Sequence, residues 1–150
     1  MTGSLADRQA ALVATLVAGA PVPPGFDDRL VGVARAALLR KRAGETARQW
    51  PMLAAGLGHR WFPVFAGWAT SRPTRGSLRD GWDLARGLVA KGQLPTVAAE
   101  ELAVREASWR YDGSTAPRRR RWPAVRRVDG ALVCQVAGRI RVVPLRRRRG

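Results

Sequence analysis

From Ser4 to Asp112, apolar residues recur every three or four positions in segments that proline and glycine separate. Capping patterns mark several of the segment starts. Ser4 precedes Asp7 by three positions, and the acidic pair at residues 27 and 28 lies at the positive end of the second segment. The pattern predicts five or six helices, over residues 4–18, 27–49, 52–57, 60–70, 78–91 and 96–111.

The fifth segment is amphipathic. Asp80 and Asp83 lie three residues apart, a spacing that on an exposed helical face usually serves solvation and the helix dipole, so we expect both carboxylates in solvent. The second segment changes its apolar side after Leu39, so its helix either bends near Gly44 or packs its two halves against different neighbours. The expected core-facing residues of the fifth segment are Leu78, Trp82, Ala85 and Val89.

The pattern changes beyond residue 112. Residues 113–127 are rich in arginine and proline, which predicts a linker or a basic arm that is extended or disordered. Residues 131–136 and 139–143 are rich in β-formers and predict a hairpin that docks on the helices or on another chain. The expected fold is mainly α, with a compact helical domain (1–112), the arm (113–127) and a β-hairpin with an arginine-rich C-terminus (128–150).

Charge is the unusual property of the composition. The 150 residues carry 27 Lys and Arg against 11 Asp and Glu, a formal net charge of +16. Residues 1–112 hold 15 basic and 10 acidic side chains, whereas residues 113–150 hold 12 Arg and one Asp. An acidic partner is therefore plausible, and the excess charge lies in the C-terminal part.

The arginine clusters are the main functional signal. Guanidinium groups contact phosphates, and aromatic rings stack on unpaired bases, so we expect non-catalytic binding of DNA or RNA with little sequence preference. Contact with six phosphates would give a slope of about −5 for log affinity against log salt concentration. The expected contact residues are Arg118, Arg119, Arg120, Arg121, Trp122, Arg126, Arg127, Arg146, Arg147, Arg148 and Arg149.

Codon usage or solubility would also account for the abundance of arginine. A high-GC genome favours arginine codons over lysine codons, which fits 25 Arg against two Lys, and a charged tail can serve solubility alone. The alternative function is a protein–protein adaptor, in which a helical groove or the open edge of the hairpin binds a co-encoded partner. Nucleic-acid binding would fade with added salt, and partner binding would survive it.

The chain lacks the motifs that mark common enzymes, such as a phosphate loop, a nucleophile elbow or a dinucleotide fingerprint. One cysteine excludes an internal disulfide, and Cys134 with His59 cannot complete a zinc site. We therefore expect no catalysis, cofactor, metal or small-molecule substrate. The apolar run over residues 10–20 is too short to span a bilayer, and we expect a cytoplasmic protein with no membrane-surface role.

Five landmarks follow one another along the chain: Arg35, the Trp50-Pro51 break, Leu57-Gly58, Trp61-Phe62, and Glu106 with Trp109. This ordered set resembles the N-terminal module of a bacterial family of unknown function whose provisional label is DNA-binding domain. The resemblance spans residues 5–111 and implies an all-helical core, with no catalytic residue. Residues 113–150 resemble the ending of small uncharacterised proteins from high-GC bacteria.

Glu106 follows Leu102 by one turn on an otherwise apolar helical face. A buried carboxylate needs a cation or hydrogen-bond donors. Residues and resemblance together therefore suggest an ion pair between Arg35 and Glu106 that joins the second and sixth helices, with a solvent-facing Glu106 as the alternative.

Overall fold

A computed structural model describes residues 4–128, 131–136 and 139–144. This part of the chain is mostly helical, as the sequence pattern predicts. A 3-10 turn, Gly58–Arg60, joins the third helix to the fourth. The helices are α1 (Leu5–Ala18), α2 (Asp28–Gln49), α3 (Pro51–Leu57), α4 (Trp61–Ala69), α5 (Ser77–Ala90) and α6 (Thr96–Ser108).

Helix α2 is the central element of the helical part. The Asp27 carboxylate caps its first turn by accepting hydrogen bonds from the backbone N–H groups of Arg29 and Leu30, at 2.8 and 3.2 Å. The helix runs unbroken to Gln49 and packs against α1, α3, α4 and α5. Contacts with different neighbours along one continuous helix therefore account for the change of its apolar side.

Two tryptophans fill the centre of the core. Trp50, at the junction of α2 and α3, meets Trp82 of α5 edge to face, with ring centroids 5.8 Å apart. Both are 0% exposed. The Trp50 ring lies directly on Gly81, where an added Cβ would be only 2.1 Å from the ring carbon Cδ1. A glycine at this position of α5 is therefore what allows the indole to pack.

The buried face of α5 differs in part from the predicted one. Trp82 and Ala85 are buried as expected, together with Leu84 and Leu88. Val89 is exposed because the helix turns its Leu84 and Leu88 side inward, which places Val89 at the rim.

The C-terminal part forms two small antiparallel sheets. Strand β1 (Trp109–Arg110) pairs with β2 (Arg118–Arg119), and β4 (Ala131–Val136) lies between β3 (Ala124–Val128) and β5 (Arg139–Pro144). The predicted hairpin is present as β4 and β5. Residues 113–127, expected to be extended or disordered, are extended where β2 and most of β3 lie, but there they pair in sheets instead of forming a free arm. Arginines at strand positions masked the β-pattern there.

The three-stranded sheet packs one face on α6. Val128 and Val133 contact Ala103 and Ala107 of the helix, whose small side chains let the strands approach closely. Residues 145–150 are outside the described part, so the structure gives no placement for Arg146, Arg147, Arg148 and Arg149. In the described residues, no helix combines the length and apolar character needed to cross a bilayer.

Candidate functional site

The structure separates the predicted phosphate-binding residues into engaged and exposed groups. Arg120 is half-buried, and its Nε donates to the backbone carbonyls of Glu106 and Trp109 at 3.0 and 3.2 Å. Its own N–H donates to the carbonyl of Ser108 at 2.8 Å. Arg120 thus satisfies carbonyls at the end of α6, where a helix leaves acceptors without partners.

Two further tail arginines also contact the helical part. The guanidinium of Arg119 lies 5.1 Å from the ring centroid of Trp109, its cross-strand partner. Arg126 lies on the α6 side of β3, with its Nε 3.8 Å from a carboxylate oxygen of Glu106. The guanidinium groups of Arg119 and Arg126 therefore contribute to the packing of the chain as well as to its charge.

The remaining described tail residues face solvent. Arg118, Arg121 and Arg127 are exposed, and Trp122 is 83% exposed. No carboxylate in the described residues lies within ion-pair distance of these three guanidinium groups. They are the described cations of the predicted set that remain available to a polyanion.

Glu106 pairs with Arg86, and the expected pair with Arg35 is wrong. Nη2 of Arg86 lies 2.8 Å from Oε1 of Glu106, and the same guanidinium donates to the carbonyl of Tyr111 at 3.0 Å. Arg35 instead has its guanidinium beside Gly19 at the end of α1. Arg86 reaches Glu106 because α5 and α6 are adjacent, and it stacks near the rings of Trp82 and Tyr111.

A second ion pair, which the sequence analysis did not predict, is more deeply buried than the pair of Arg86 and Glu106. Nε of Arg42 donates to Oδ2 of Asp80 at 2.7 Å, and Asp80 is 1% exposed. The hydroxyl of Thr74 and the N–H of Arg75 also donate to this carboxylate. The expectation that Asp80 faces solvent is therefore wrong. Arg42 precedes Thr46 by one turn, and only the burial of Thr46 in the structure shows that this side of α2 faces the core.

Asp83 belongs to a third polar contact. Its carboxylate accepts a hydrogen bond from the hydroxyl of Tyr111 at 3.0 Å. Burial raises the pKa of the Asp83 carboxyl, and the same hydrogen bond and the nearby Arg75 and Arg86 partly oppose that rise. Burial, followed by the contact with Asp83, raises the pKa of the Tyr111 phenol. The pair links α5 to the segment that follows β1.

A groove of about 820 Å³ lies between α4 and α5. Both helices pack against α2, and few contacts join α4 directly to α5. Its apolar walls include Val64 and Trp68 from α4 and Leu84 and Leu88 from α5. Arg72 and Arg75 lie toward one end and Lys91 toward the other. This volume lies in the range of ligand-binding sites.

The outer edge of β5 is a second open surface. All six of its residues are exposed, including Ile140, Val142 and Val143 at 41%, 50% and 48%. No strand among the described residues pairs with that edge. An open edge with apolar side chains can accept a strand of another chain.

The described residues contain no group of three or more potential metal ligands. His59 is exposed in the 3-10 turn, and Cys134 is a half-buried free thiol in the middle of β4. The open features of the described residues are the α4–α5 groove, the outer edge of β5 and the exposed guanidinium groups.

Comparison with known proteins identifies relatives of the chain. A curated protein of Streptomyces avermitilis, described as a UPF0276 protein, is 40% identical over 123 residues, which cover 81% of this chain and 25% of the relative. The chain thus spans about a quarter of the length of that relative. No solved structure matches.

The model of one protein family, described as SCO6045-like, C-terminal domain, matches residues 6–90. The match covers α1 to α5, so it includes the buried Arg42–Asp80 pair and the α4–α5 groove. Neither the family description nor the name of the relative mentions DNA. The expected kinship with a bacterial protein family is confirmed, and this chain belongs to the SCO6045-like C-terminal domain family.

Proposed function

We propose that this chain is a non-catalytic docking module. Its partner is a polypeptide of the kind that makes up the other three quarters of the Streptomyces relative. The observation that carries the proposal is the 40% identity confined to 25% of a longer protein. Two polypeptides that occur joined in one chain have a high effective concentration, so even a modest interface between them is populated.

The surfaces of the molecule support this proposal. The β5 edge leaves Ile140, Val142 and Val143 open to solvent, and open apolar surfaces mark interaction sites. The α4–α5 groove adds a concave surface whose α4 wall holds half-buried Val64 and Trp68. By contrast, Arg119, Arg120 and Arg126 of the tail already contact the chain itself. Because these arginines already have contacts within the chain, they support phosphate binding by the tail less than exposed arginines would.

The test measures binding of the 150-residue chain to the part of the Streptomyces relative outside the similarity, produced as a folded polypeptide. We expect a complex by isothermal titration calorimetry that persists at roughly 0.5 M salt, because apolar burial dominates and charge screening is nearly complete there. Absence of binding at low and high salt would contradict the proposal.

Nucleic-acid binding is the second candidate. The exposure of Arg118, Arg121 and Arg127, without nearby carboxylates in the described residues, is the observation that favours it. Affinity for a fluorescent single-stranded oligonucleotide is measured across a salt series. Replacing these three by serine is expected to lower the log–log salt slope by about 2 to 3 in magnitude. The matched control replaces three exposed arginines outside the tail, Arg29 and Arg48 of α2 and Arg60 of the 3-10 turn.

The control separates site binding from general charge, because both triple variants lose the same net charge. Equal slopes for the two variants would show that only total charge matters. No complex near physiological salt with the unaltered chain would refute a nucleic-acid role.

A further inference from the structure

We infer that the outer face of the three-stranded sheet, the face turned away from α6, binds an acidic amphipathic helix of the partner polypeptide. This inference rests on the proposed function and deepens it, because it names the docking surface and the chemistry of the segment that docks there. The outer face consists of eight residues of β3, β4 and β5: Val125, Arg127, Leu132, Cys134, Val136, Arg139, Arg141 and Val143.

The strand register assigns these residues to their face. Val133 of β4 is buried against α6, so its cross-strand partners Arg126 and Val142 point to the α6 side as well. Successive side chains of a strand point to opposite faces of the sheet. Val125 and Val143, which are the chain neighbours of those partners, therefore point away from α6.

The outer face is more apolar than contact with water alone requires. Where one face of an antiparallel sheet lies in water, the residues on that face are usually polar. Here Val125, Val136 and Val143 are 56%, 58% and 48% exposed. Val125 pairs with Cys134 and Leu132 pairs with Val143, so the apolar side chains of neighbouring strands are contiguous. A sheet that is apolar on both faces is typical of one covered by a layer on each side.

The charged residues of the outer face are all cations. Arg127, Arg139 and Arg141 are exposed, and no carboxylate among the described residues lies within ion-pair distance of them. A second copy of the chain would place these arginines against arginines, and like charges disfavour that contact. Unpaired bases stack on aromatic rings, and the eight residues of the face include none. An acidic amphipathic segment complements both the apolar side chains and the guanidinium groups.

The dimensions of the outer face suit one helix. Neighbouring strands lie about 4.8 Å apart, so the two outer strands are about 10 Å apart, which is close to the diameter of an α-helix. Strand β4 has six residues and is about 20 Å long, the length of a helix of about 13 residues. The guanidinium groups belong to the outer strands β3 and β5. Acidic residues on both sides of the apolar stripe of such a helix would therefore meet them.

The first experiment compares two adjacent valines on opposite faces of β5. Val143→Thr changes the outer face and Val142→Thr changes the α6 side, and the two valines are 48% and 50% exposed. The probe is the segment of the Streptomyces relative outside the similarity. We expect Val143→Thr to weaken binding by about tenfold, because its hydroxyl would be buried without a partner, and Val142→Thr to leave binding unchanged. Threonine keeps the β-branched shape, so both variants should melt within about 3 °C of the original chain.

A third variant, Val125→Thr, changes the outer face on β3, the strand farthest from the open edge of β5. We expect it also to weaken binding by about tenfold. A partner strand added to the β5 edge would instead respond equally to Val142→Thr and Val143→Thr and would be insensitive to Val125→Thr. That result would assign docking to the edge and would overturn the inference.

The second experiment tests the charge of the occupant. The double variant Arg139→Glu with Arg141→Glu reverses two cations of the outer face, and Arg29→Glu with Arg48→Glu reverses two exposed cations of α2. Both double variants have the same net charge. We expect the first to slow association by about tenfold at low salt, with little effect at high salt, and the second to slow it by less than about threefold. Equal slowing would show that only net charge matters and would refute the acidic occupant.

The remaining outcomes separate the inference from the proposed function. If the original chain binds the probe and all three valine variants bind equally tightly, the outer face is not the docking surface, although the docking function stands. If, in addition, the Arg139→Glu and Arg141→Glu variant loses affinity for a fluorescent single-stranded oligonucleotide, the face serves nucleic acid instead. If the original chain does not bind the probe, the proposed function and the inference fail together.

Discussion

Arg42 and Arg86 of the helical part perform different work from Arg118 and Arg127 of the C-terminal strands. In the helical part, Arg42 and Arg86 each hold a carboxylate and at least one backbone carbonyl. In the strands, Arg118 and Arg127 extend into solvent without a carboxylate nearby in the described residues. The same residue type thus fixes the packing of one region and supplies the surface charge of the other.

This difference shows why net charge is a poor guide to function here. A formal charge of +16 counts Arg42 and Arg118 equally. Arg42 is neutralised by Asp80 inside the molecule and offers little to a polyanion, whereas Arg118 keeps its donors for a partner. Side-chain replacement should therefore cost free energy of unfolding in the helical part and almost none on the exposed strand surface.

The largest effect is expected at the buried ion pair. Asp80→Ala leaves the Arg42 guanidinium, only 12% exposed, without its carboxylate, and should lower the free energy of unfolding by about 3 kcal/mol in urea denaturation. The control, Glu100→Ala, removes an exposed carboxylate from α6 and should change it by less than about 0.5 kcal/mol. Equal losses in the two variants would place Asp80 among ordinary surface acids.

A slightly smaller effect is expected at Gly81. Gly81→Ala forces a Cβ into the Trp50 ring, and we expect a loss of about 2 kcal/mol from overpacking. Gly87→Ala, on the same helix, meets open space and should instead gain about 0.5–1 kcal/mol from helix propensity. Thermal unfolding measures both. A stable Gly81→Ala variant would mean that Trp50 has room to move.

The helices were predictable because their signals are local. The six predicted segments agree with the observed helices to within three residues at each end, since caps, breakers and apolar spacing all act within a few positions. Strand β3 was missed because its Arg126 and Arg127 resemble a solvated run. Its pairing with β4 depends on contacts that no local pattern displays.

The ion pairs were predicted less well than the helices. The argument that Glu106 needs a cation was sound, and the structure supplies one, but the choice of Arg35 required knowledge of which helices touch. Arg86 comes from α5, the neighbour of α6 in space. The groove was equally hidden, because it depends on α4 and α5 packing against α2 while making few contacts with each other.

A moderate effect is expected at Arg86, which is less buried than Arg42. Arg86→Met keeps the aliphatic stem against Trp82 but removes the contacts with Glu106 and the carbonyl of Tyr111. We expect a loss of about 1–2 kcal/mol, because the pair is partly open to solvent. Arg79→Met on the same helix is the control and should stay within about 0.5 kcal/mol. A smaller loss for Arg86→Met than for its control would contradict the structural role of this pair.

The smallest effect compares two neighbours within the tail. Arg120 donates to two carbonyls at the end of α6, whereas Arg121 is exposed, although the sequence places both in one basic cluster. We expect Arg120→Ala to lose about 1 kcal/mol in urea denaturation and Arg121→Ala to lose less than about 0.5 kcal/mol. The two variants have the same net charge, so any difference between them reflects contacts. If both arginines were only a product of codon usage, the two losses would be equal, and the division between engaged and exposed arginines would not hold within the tail.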